Sequence, residues 1–287
     1  MQLALISRQS LQGRQRNEWG EKVQVLFGDM RHIDLPDLAD ILVTELLGSF
    51  GDNELSPECL DGAMRLLKRT DKASLLHVLA DVVLLANGLS IPVSYTAHLA
   101  PLSSAKLYQE ARTKNDSACM ETPYVVMFEA VNILSGDSGD GQCGPQIQPC
   151  WTFVHPRKDP ELDLLGTPCL FLCPALEVYF VSGLIEPSAT DSHNARSAKL
   201  TFHVPYAGVL HGLAGYFEAV LYGKIGLSTH PHRKARISKD MLSWFPFFFP
   251  FKVRCATNFG ARADDNMGSR NHCTFLAMRS CMCRSGV

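Results

Sequence analysis

The 287-residue chain has no apolar run long enough to cross a membrane and no excess of either charge. The first lack excludes a helical span, which needs about 20 consecutive apolar residues. The second leaves 27 basic residues against 29 acidic ones, a net charge of −2. A balance of that kind gives no electrostatic footprint for a main activity directed at nucleic acid or a lipid surface. Residues 1–16 hold a short apolar patch, Leu3 to Ile6, without an h-region or a small-residue cleavage site, so no signal peptide is expected. Regular cysteine spacing is also lacking. The ten cysteines read as reduced thiols of a cytosolic or nuclear protein. His272, Cys273, Cys281 and Cys283 fit no common pair of zinc knuckles, so no metal is expected. There is no internal repeat.

What is present divides into two textures. In the first, Val23, Val25 and Phe27 alternate with polar residues and predict a strand that ends at Gly28-Asp29-Met30-Arg31. The apolar run Ala39 to Val43 predicts a second, buried parallel strand. Ser56-Pro57-Glu58 predicts a helix start, with Ser56 as N-cap and Pro57 at the first helical position. That helix is expected to run through Leu60, Met64 and Leu67. From about Ile91 onward strand patterns dominate: 91–96, 124–128, 150–154, 199–204 and 209–221. They are separated by Gly-, Ser- and Pro-rich loops and predict a mostly antiparallel β domain. Residues 72–87, 166–193 and 253–287 fit these surroundings badly.

Between the second strand and the helix lies Thr44-Glu45-Leu46-Leu47-Gly48-Ser49-Phe50-Gly51-Asp52-Asn53-Glu54. A carboxylate at the end of a parallel strand projects where open α/β sheets bind ligands. The Gly-Ser-Phe-Gly-Asp-Asn stretch can turn the chain and return Glu54 beside Glu45. Two convergent carboxylates suit the planar fork of a guanidinium. The plainer reading is an acidic loop that merely caps the helix at Ser56.

Several blocks together resemble the protein arginine N-methyltransferases, in particular the type II, symmetric-dimethylating branch. They are Asp29-Met30-Arg31, the stretch from Glu45 to Gly62, Ser90-Ile91-Pro92, Leu99 to Tyr108, Pro123 to Val126, His155-Pro156, Val209 to Glu218 and Ser243-Trp244-Phe245-Pro246. The resemblance runs from about Trp19 to Phe251. It implies an α/β plus β fold: the C-terminal portion of a Rossmann-like S-adenosylmethionine methyltransferase domain (1–92), followed by a β-barrel or sandwich domain for substrate binding and dimerisation (93–287). It implies S-adenosylmethionine as cofactor, with Asp29 and Met30 against the adenine. It implies Glu45 and Glu54 as the catalytic grip on the substrate arginine, and Trp244 and Ser243 as substrate-binding residues. Taken alone, Asp29-Met30 is only a turn after a strand, and Trp244 suits a core position among Phe245, Phe247, Phe248 and Phe249.

By the same resemblance, the substrates are histone tails, splicing proteins and other Gly/Arg-rich proteins. The location is cytoplasmic and nuclear, and the complete family member is a homo-oligomer. Neither membrane nor direct nucleic-acid binding is expected. The chain departs from the family in carrying no N-terminal barrel and no Gly-rich cofactor loop before Trp19. The usual WD-repeat adaptor binds mainly through that barrel, so its contact is not expected here. Residues 72–87 and 166–193 look like insertions, and the pattern is lost after Phe251. The alternative to an active enzyme is therefore a truncated or mis-spliced product that acts, if at all, through oligomer contacts.

Overall fold

The computed structural model describes residues 8–68, 88–114, 124–125, 132–136, 145–156, 175–183, 196–204, 208–257, 272–273 and 278–279. Its first part holds a helix, α1 (Arg8–Arg14), and two short strands, β1 (Ile41–Val43) and β2 (Leu89–Ile91). The strands run parallel, with Ile41 opposite Leu89 and Val43 opposite Ile91. The expected parallel strand is present, but it is not buried: Ile41 and Val43 are 55% and 69% exposed. A parallel strand is buried only where neighbours cover both its faces, and among the described residues β1 pairs with β2 alone. The expected strand at 23–27 does not form. A 3-10 turn, Gly20–Lys22, leads into it, and Val23, Leu26 and Phe27 stay open to solvent. Alternation defines two faces, but a strand also needs a ladder partner.

Helix α2 spans Ser56–Ala63 and tightens into a 3-10 turn, Met64–Leu66, so it stops short of Leu67. Its cap is one residue earlier than expected. Leu55 sits in the left-handed region at φ 63°, and its carbonyl already accepts the Cys59 N–H at 3.0 Å. Ser56 thus falls inside the first turn, where its Oγ is buried and lacks a hydrogen-bond partner.

The second part is built on strands, as its texture predicts. β3 (Ser94–Ser103), β4 (Tyr124–Val125), β5 (Asn132–Ile133), β6 (Gln148–Val154), β9 (Gly208–Tyr222), β10 (Ile225–Ser228) and β11 (Phe247–Thr257) form a seven-stranded sheet, antiparallel throughout. A smaller sheet joins β7 (Ala175–Gly183) to β8 (Arg196–His203), with β12 (His272–Cys273) and β13 (Met278–Arg279) parallel to β7. Segment 166–193 therefore contributes a strand, and β11 continues past Phe251. Residues 72–87, Cys281 and Cys283 lie outside the described residues.

Of the two expected forms, barrel or sandwich, the described strands take the sandwich and close no barrel. Their order, β4-β11-β9-β3-β5, is open, with β10 added on β9 and β6 on β3. Leu200 and Phe202 of β8 instead cover one face of the large sheet as the second layer of a sandwich. Helix α3 (Ala105–Lys114) covers the other face. Ser104 caps it, its Oγ accepting the Leu107 N–H at 3.3 Å.

Strand alternation sorts β3 and β9 between these layers. Tyr95, Ala97 and Leu99 lie opposite Ala219, Phe217 and Gly215 and face the cluster that contains Leu47 and Phe50. His98, Ala100 and Leu102 lie opposite Tyr216, Ala214 and Gly212 and face α3 and the segment after β10. A last helical turn, α4 (Lys234–Ile237), lies in that segment.

Candidate functional site

The double-glutamate loop is a closed turn. Gly48 and Gly51 exchange backbone hydrogen bonds, Gly51 N to Gly48 O at 2.8 Å and Gly48 N to Gly51 O at 3.2 Å. Gly51 stands at φ +84°, a conformation that disfavours any side chain. Asn53 closes the tip, its Oδ1 accepting the Phe50 N–H at 2.7 Å. The loop begins as an extension of β1, because Thr44 N donates to Ile91 O at 2.9 Å. It ends at the left-handed Leu55, which turns the chain into α2.

The apolar residues of this loop point inward. Phe50 is 3% exposed and sits edge-on to Trp151 (5.9 Å, 85°) and to Phe249 (5.1 Å, 79°). Burial of such a ring stabilises by about 2 kcal/mol. Gly215 leaves the space it fills: a Cβ there would stand 2.8 Å from Phe50 Cδ2 and 2.6 Å from Phe249 Cε2. Leu47 packs with Leu60, Tyr95, Phe153 and Phe217. With these two side chains seated, Glu45 and Glu54 are left on the outer surface, both exposed.

The two carboxylates interact. Partial burial and, next, the charge of Glu45 raise the Glu54 carboxyl above its ordinary range. Trp244 belongs to the same assembly. Its Nε1–H donates to Leu47 O at 2.7 Å, across 197 residues of sequence. Its ring meets Phe217 at 5.9 Å and 74°. Trp244 is thus half-buried against the loop, and Ser243 beside it is exposed.

Asp29 and Met30 occupy a separate turn, in which His32 N and Ile33 N donate to Asp29 O at 2.9 and 2.8 Å. Arg31 engages both carboxylate oxygens of Asp29: its Nε reaches Oδ1 at 2.9 Å, its Nη2 reaches Oδ2 at 2.6 Å, and its backbone N donates to Oδ1 at 2.9 Å. The Arg31 hydrogen bonds hold the Asp29 carboxyl well below the usual carboxylate range. The turn rests on α2 at Gly62, where a Cβ would approach Arg31 Cα to 2.9 Å. Arg65, in the 3-10 turn that follows α2, donates through Nε to Arg31 O at 3.2 Å and pairs with Asp34 at 2.9 Å. Helix α2 thus carries the loop at its N-terminus and braces the Asp29 turn along its side.

The structure ties Trp244 to the loop through Leu47 and sets Glu45 near enough to Glu54 for its charge to be felt there, and it leaves Asp29 and Met30 on the adjoining turn. Sequence reading missed Phe50, Leu47, Gly215, Arg31 and Gly62, which hold these elements in place. Phe50 between Gly48 and Gly51 was a signal, since an aromatic flanked by glycines marks a tip inserted into something. No cluster of three or more metal-ligating side chains is found among the described residues.

The family model described as PRMT5 arginine-N-methyltransferase matches residues 6–75, and that of the PRMT5 oligomerisation domain matches residues 94–267. The likeness therefore starts before Trp19 and continues past Phe251, wider at both ends than the motifs alone give. The chain is 39% identical to protein arginine N-methyltransferase skb1 of Schizosaccharomyces pombe, over 83% of its own length and 31% of that protein. It is 39% identical to protein arginine N-methyltransferase 5 of Xenopus laevis, over 85% and 30%. Against the protein of the same name in Drosophila melanogaster it is 34% identical, over 82% and 29%. The chain spans about a third of the length of the curated relatives it matches. With both family models in register along it, this chain belongs to the PRMT5 family of protein arginine N-methyltransferases.

Proposed function

We propose that Glu45 and Glu54 hold the guanidinium of a substrate arginine, with the face of Trp244 against it and Ser243 beside it. The reaction is methyl transfer from S-adenosylmethionine to the guanidino nitrogens, of the symmetric, type II kind, in histones and other Gly/Arg-rich proteins. One observation carries this reading: Trp244 donates its Nε1–H to Leu47 O at 2.7 Å, which sets an indole against the loop that carries Glu45 and Glu54 on its outer surface. Two surface carboxylates in electrostatic contact favour a shared cation, and arginine is the side chain that stays charged and presents a planar fork. Membership in the family supports the same chemistry.

The cofactor, when bound, supplies an electrophilic methyl group on a sulfonium. The residues of this chain do the rest. Carboxylate acceptors orient one terminal nitrogen and localise its lone pair toward the methyl donor, and alignment of this kind is a large part of the catalysis of an in-line displacement. The nitrogen that gains the methyl group loses a proton, and a carboxylate takes it. Glu54 is suited to take it, because partial burial and the Glu45 charge raise its proton affinity. Trp244 supplies a cation–π face, and its bond to Leu47 keeps that face beside the loop. Met30 offers a soft apolar contact and Asp29 an acceptor for an adenine amine. Asp29 fits that role once Arg31 swings aside, and both partners are exposed enough to exchange, at 39% and 42%.

The expected self-association agrees with the oligomerisation-domain match. We place the domain boundary near residues 92 and 93, and the protein in cytoplasm and nucleus; a tagged chain confined to secretory compartments would contradict that location. Calorimetry with S-adenosylmethionine is expected to show saturable binding that Asp29→Ala weakens. A Gly/Arg-rich peptide is expected to bind and be methylated, with both lost in Glu45→Gln and Glu54→Gln. Peptide binding that ignores both substitutions would sink the arginine reading. Cofactor binding without methylation would favour the non-catalytic alternative.

A further inference from the structure

Glu54 stands between two anchors. On its N-terminal side the loop tip rests on the large sheet: a Cβ added at Gly51 would lie 3.4 Å from Tyr95 Cδ2 and 3.4 Å from Phe217 Cβ. On its C-terminal side, Asp61 of α2 brings Oδ1 to 3.9 Å from His155 Nδ1. The two anchors join. His155 Nε2 and Tyr95 Oη share a hydrogen bond of 3.4 Å, and the two rings stack at 5.6 Å and 25°. Asp61, His155 and Tyr95 thus form one row that runs from the helix to the loop tip.

The row is buried and its base is fixed. Tyr95 and His155 are 1% and 3% exposed. The His155 backbone N donates to Val93 O at 2.7 Å, and Val93 N donates to Val220 O at 2.9 Å, so the imidazole starts from the sheet. Tyr95 lies 5.3 Å from Phe153 and belongs to the cluster that holds Leu47 of the loop and Leu60 of α2. Burying polar nitrogens in such a cluster is costly unless they are bonded. A buried polar row that is bonded specifies one arrangement of the elements it joins.

The backbone between the anchors is strained. Leu55, next to Glu54, holds φ at 63°, in the left-handed region that a side chain disfavours. The local sequence prefers something else. Ser56-Pro57-Glu58 suits a helix capped at Ser56, yet α2 starts from Leu55 O, and the Ser56 Oγ is buried without a hydrogen-bond partner. If Leu55 relaxed to extended backbone, Ser56 would be free to cap α2 and Glu54 would turn with it. A strained joint of this kind persists only where its surroundings over-determine it.

We propose that His155 is a positioning residue for Glu54: held between Asp61 and Tyr95, it locks α2 and the loop tip to one point of the sheet, keeps Leu55 left-handed, and so fixes where the Glu54 carboxylate stands. Buried as it is, His155 acts through its neighbours and not on the substrate. Its bearing on the reaction rests on the reading that Glu45 and Glu54 hold the substrate guanidinium. In-line transfer depends on alignment, and a displacement of about 1 Å costs about a hundredfold. A carboxylate on a surface loop reaches that precision only through buried support.

The test uses the full chain and two readouts: the Glu54 titration midpoint, by carbon-13 NMR of the glutamate side chains, and the Kd of a Gly/Arg-rich peptide. Burial and the Glu45 charge chiefly set that midpoint, so a change in the row reaches Glu54 through its position. His155→Phe keeps a ring on Tyr95 and removes both polar links. The midpoint should fall toward the ordinary range, and the peptide Kd should rise about tenfold, a gap of about 1.4 kcal/mol. Asp61→Asn should move both readouts the same way by less, and should add nothing in the His155→Phe background. Leu55→Gly, which adopts the left-handed conformation without strain, should restore both readouts in that background. Phe202→Leu, a core change in the second layer of the sandwich, should lower the melting temperature and leave the midpoint in place. A midpoint unmoved by His155→Phe and by Asp61→Asn overturns the proposal, as does one that Phe202→Leu moves equally. If His155→Phe does not fold, Asp61→Asn decides alone. A midpoint that moves while Glu54→Gln leaves peptide binding unchanged keeps the positioning and sinks the arginine reading.

Discussion

At the scale of single residues, the pair Glu45 and Glu54 decides how the site responds to pH. Glu54 holds its proton to a higher pH than an ordinary carboxyl because it is partly buried and because Glu45 is charged nearby. Guanidinium binding should therefore weaken as pH falls through that raised value, before ordinary carboxylates protonate. In Glu45→Gln the like charge disappears, so the Glu54 midpoint should move down toward its usual range. Carbon-13 NMR of the glutamate side chains measures this directly, and an unmoved Glu54 midpoint would show that the two groups do not communicate. A glycine matters equally on the adjoining turn. Gly62 lets the Arg31 backbone rest on α2. Gly62→Ala should displace the Asp29 turn and weaken cofactor binding, while Glu54 titrates as before. A Gly62→Ala chain with unchanged cofactor affinity would separate the turn from that role.

At the scale of elements, the loop is held by its neighbours. Gly215→Ala puts a methyl group against Phe50 and Phe249. Overpacking of this kind costs about 1–3 kcal/mol, so thermal unfolding should come several degrees earlier, with peptide affinity reduced in step. The segment after β10, where His230 meets His98, has a pH dependence of its own. Burial, with the nearby Arg233 charge next for His98, lowers the His98 and His230 pKa values to about 4. His230 also feels the charges of His98 and His232. The unfolded chain takes up these protons from about pH 6.5 downward, whereas the folded one does not until about pH 4. Stability is thus complete above about pH 6.5 and is lost as pH falls toward 4, at no more than about 1.4 kcal/mol per pH unit for each proton. His98→Phe should flatten that loss in urea titrations between pH 7 and 4.5; an unchanged slope would show that His98 titrates normally.

The β elements were legible because a two-residue alternation survives in β6 and β8, and because β3 and β9, buried on both faces, read as long runs rich in apolar residues and glycine. The strand at 23–27 carried the same alternation and failed, because periodicity does not reveal whether a partner is present. That the chain turns between Glu45 and Glu54 was legible from the spacing and the glycines. Their outward placement was not, since it follows from Phe50 entering a pocket built by β3, β6, β9 and β11. The bond from Trp244 to Leu47 spans 197 residues, a contact that no local pattern announces.

At the scale of the whole molecule, two parts meet through a few contacts. Phe50 and Leu47 enter the sandwich, and His155 at the end of β6 lies 3.9 Å from Asp61 of α2. On the sheet, Val154 and Val220 flank Ser94 in register, and Tyr222 lies opposite Ile225. These four apolar side chains are 41–64% exposed. Given the oligomerisation-domain match, light scattering should return a mass that is a multiple of the 31.7 kDa chain. Val220→Asp should shift that mass toward one copy. A monodisperse 31.7 kDa species for the wild-type chain would count against self-association.

The loop also carries its own optical reporter. Of three tryptophans in the chain, Trp151 touches Phe50 at the loop tip and Trp244 is hydrogen-bonded to Leu47 at its base. Indole emission moves to longer wavelength as water reaches the ring. The intrinsic fluorescence of a Trp19→Phe chain is therefore a gauge of whether the loop is seated, readable in real time and without a label while a peptide is added.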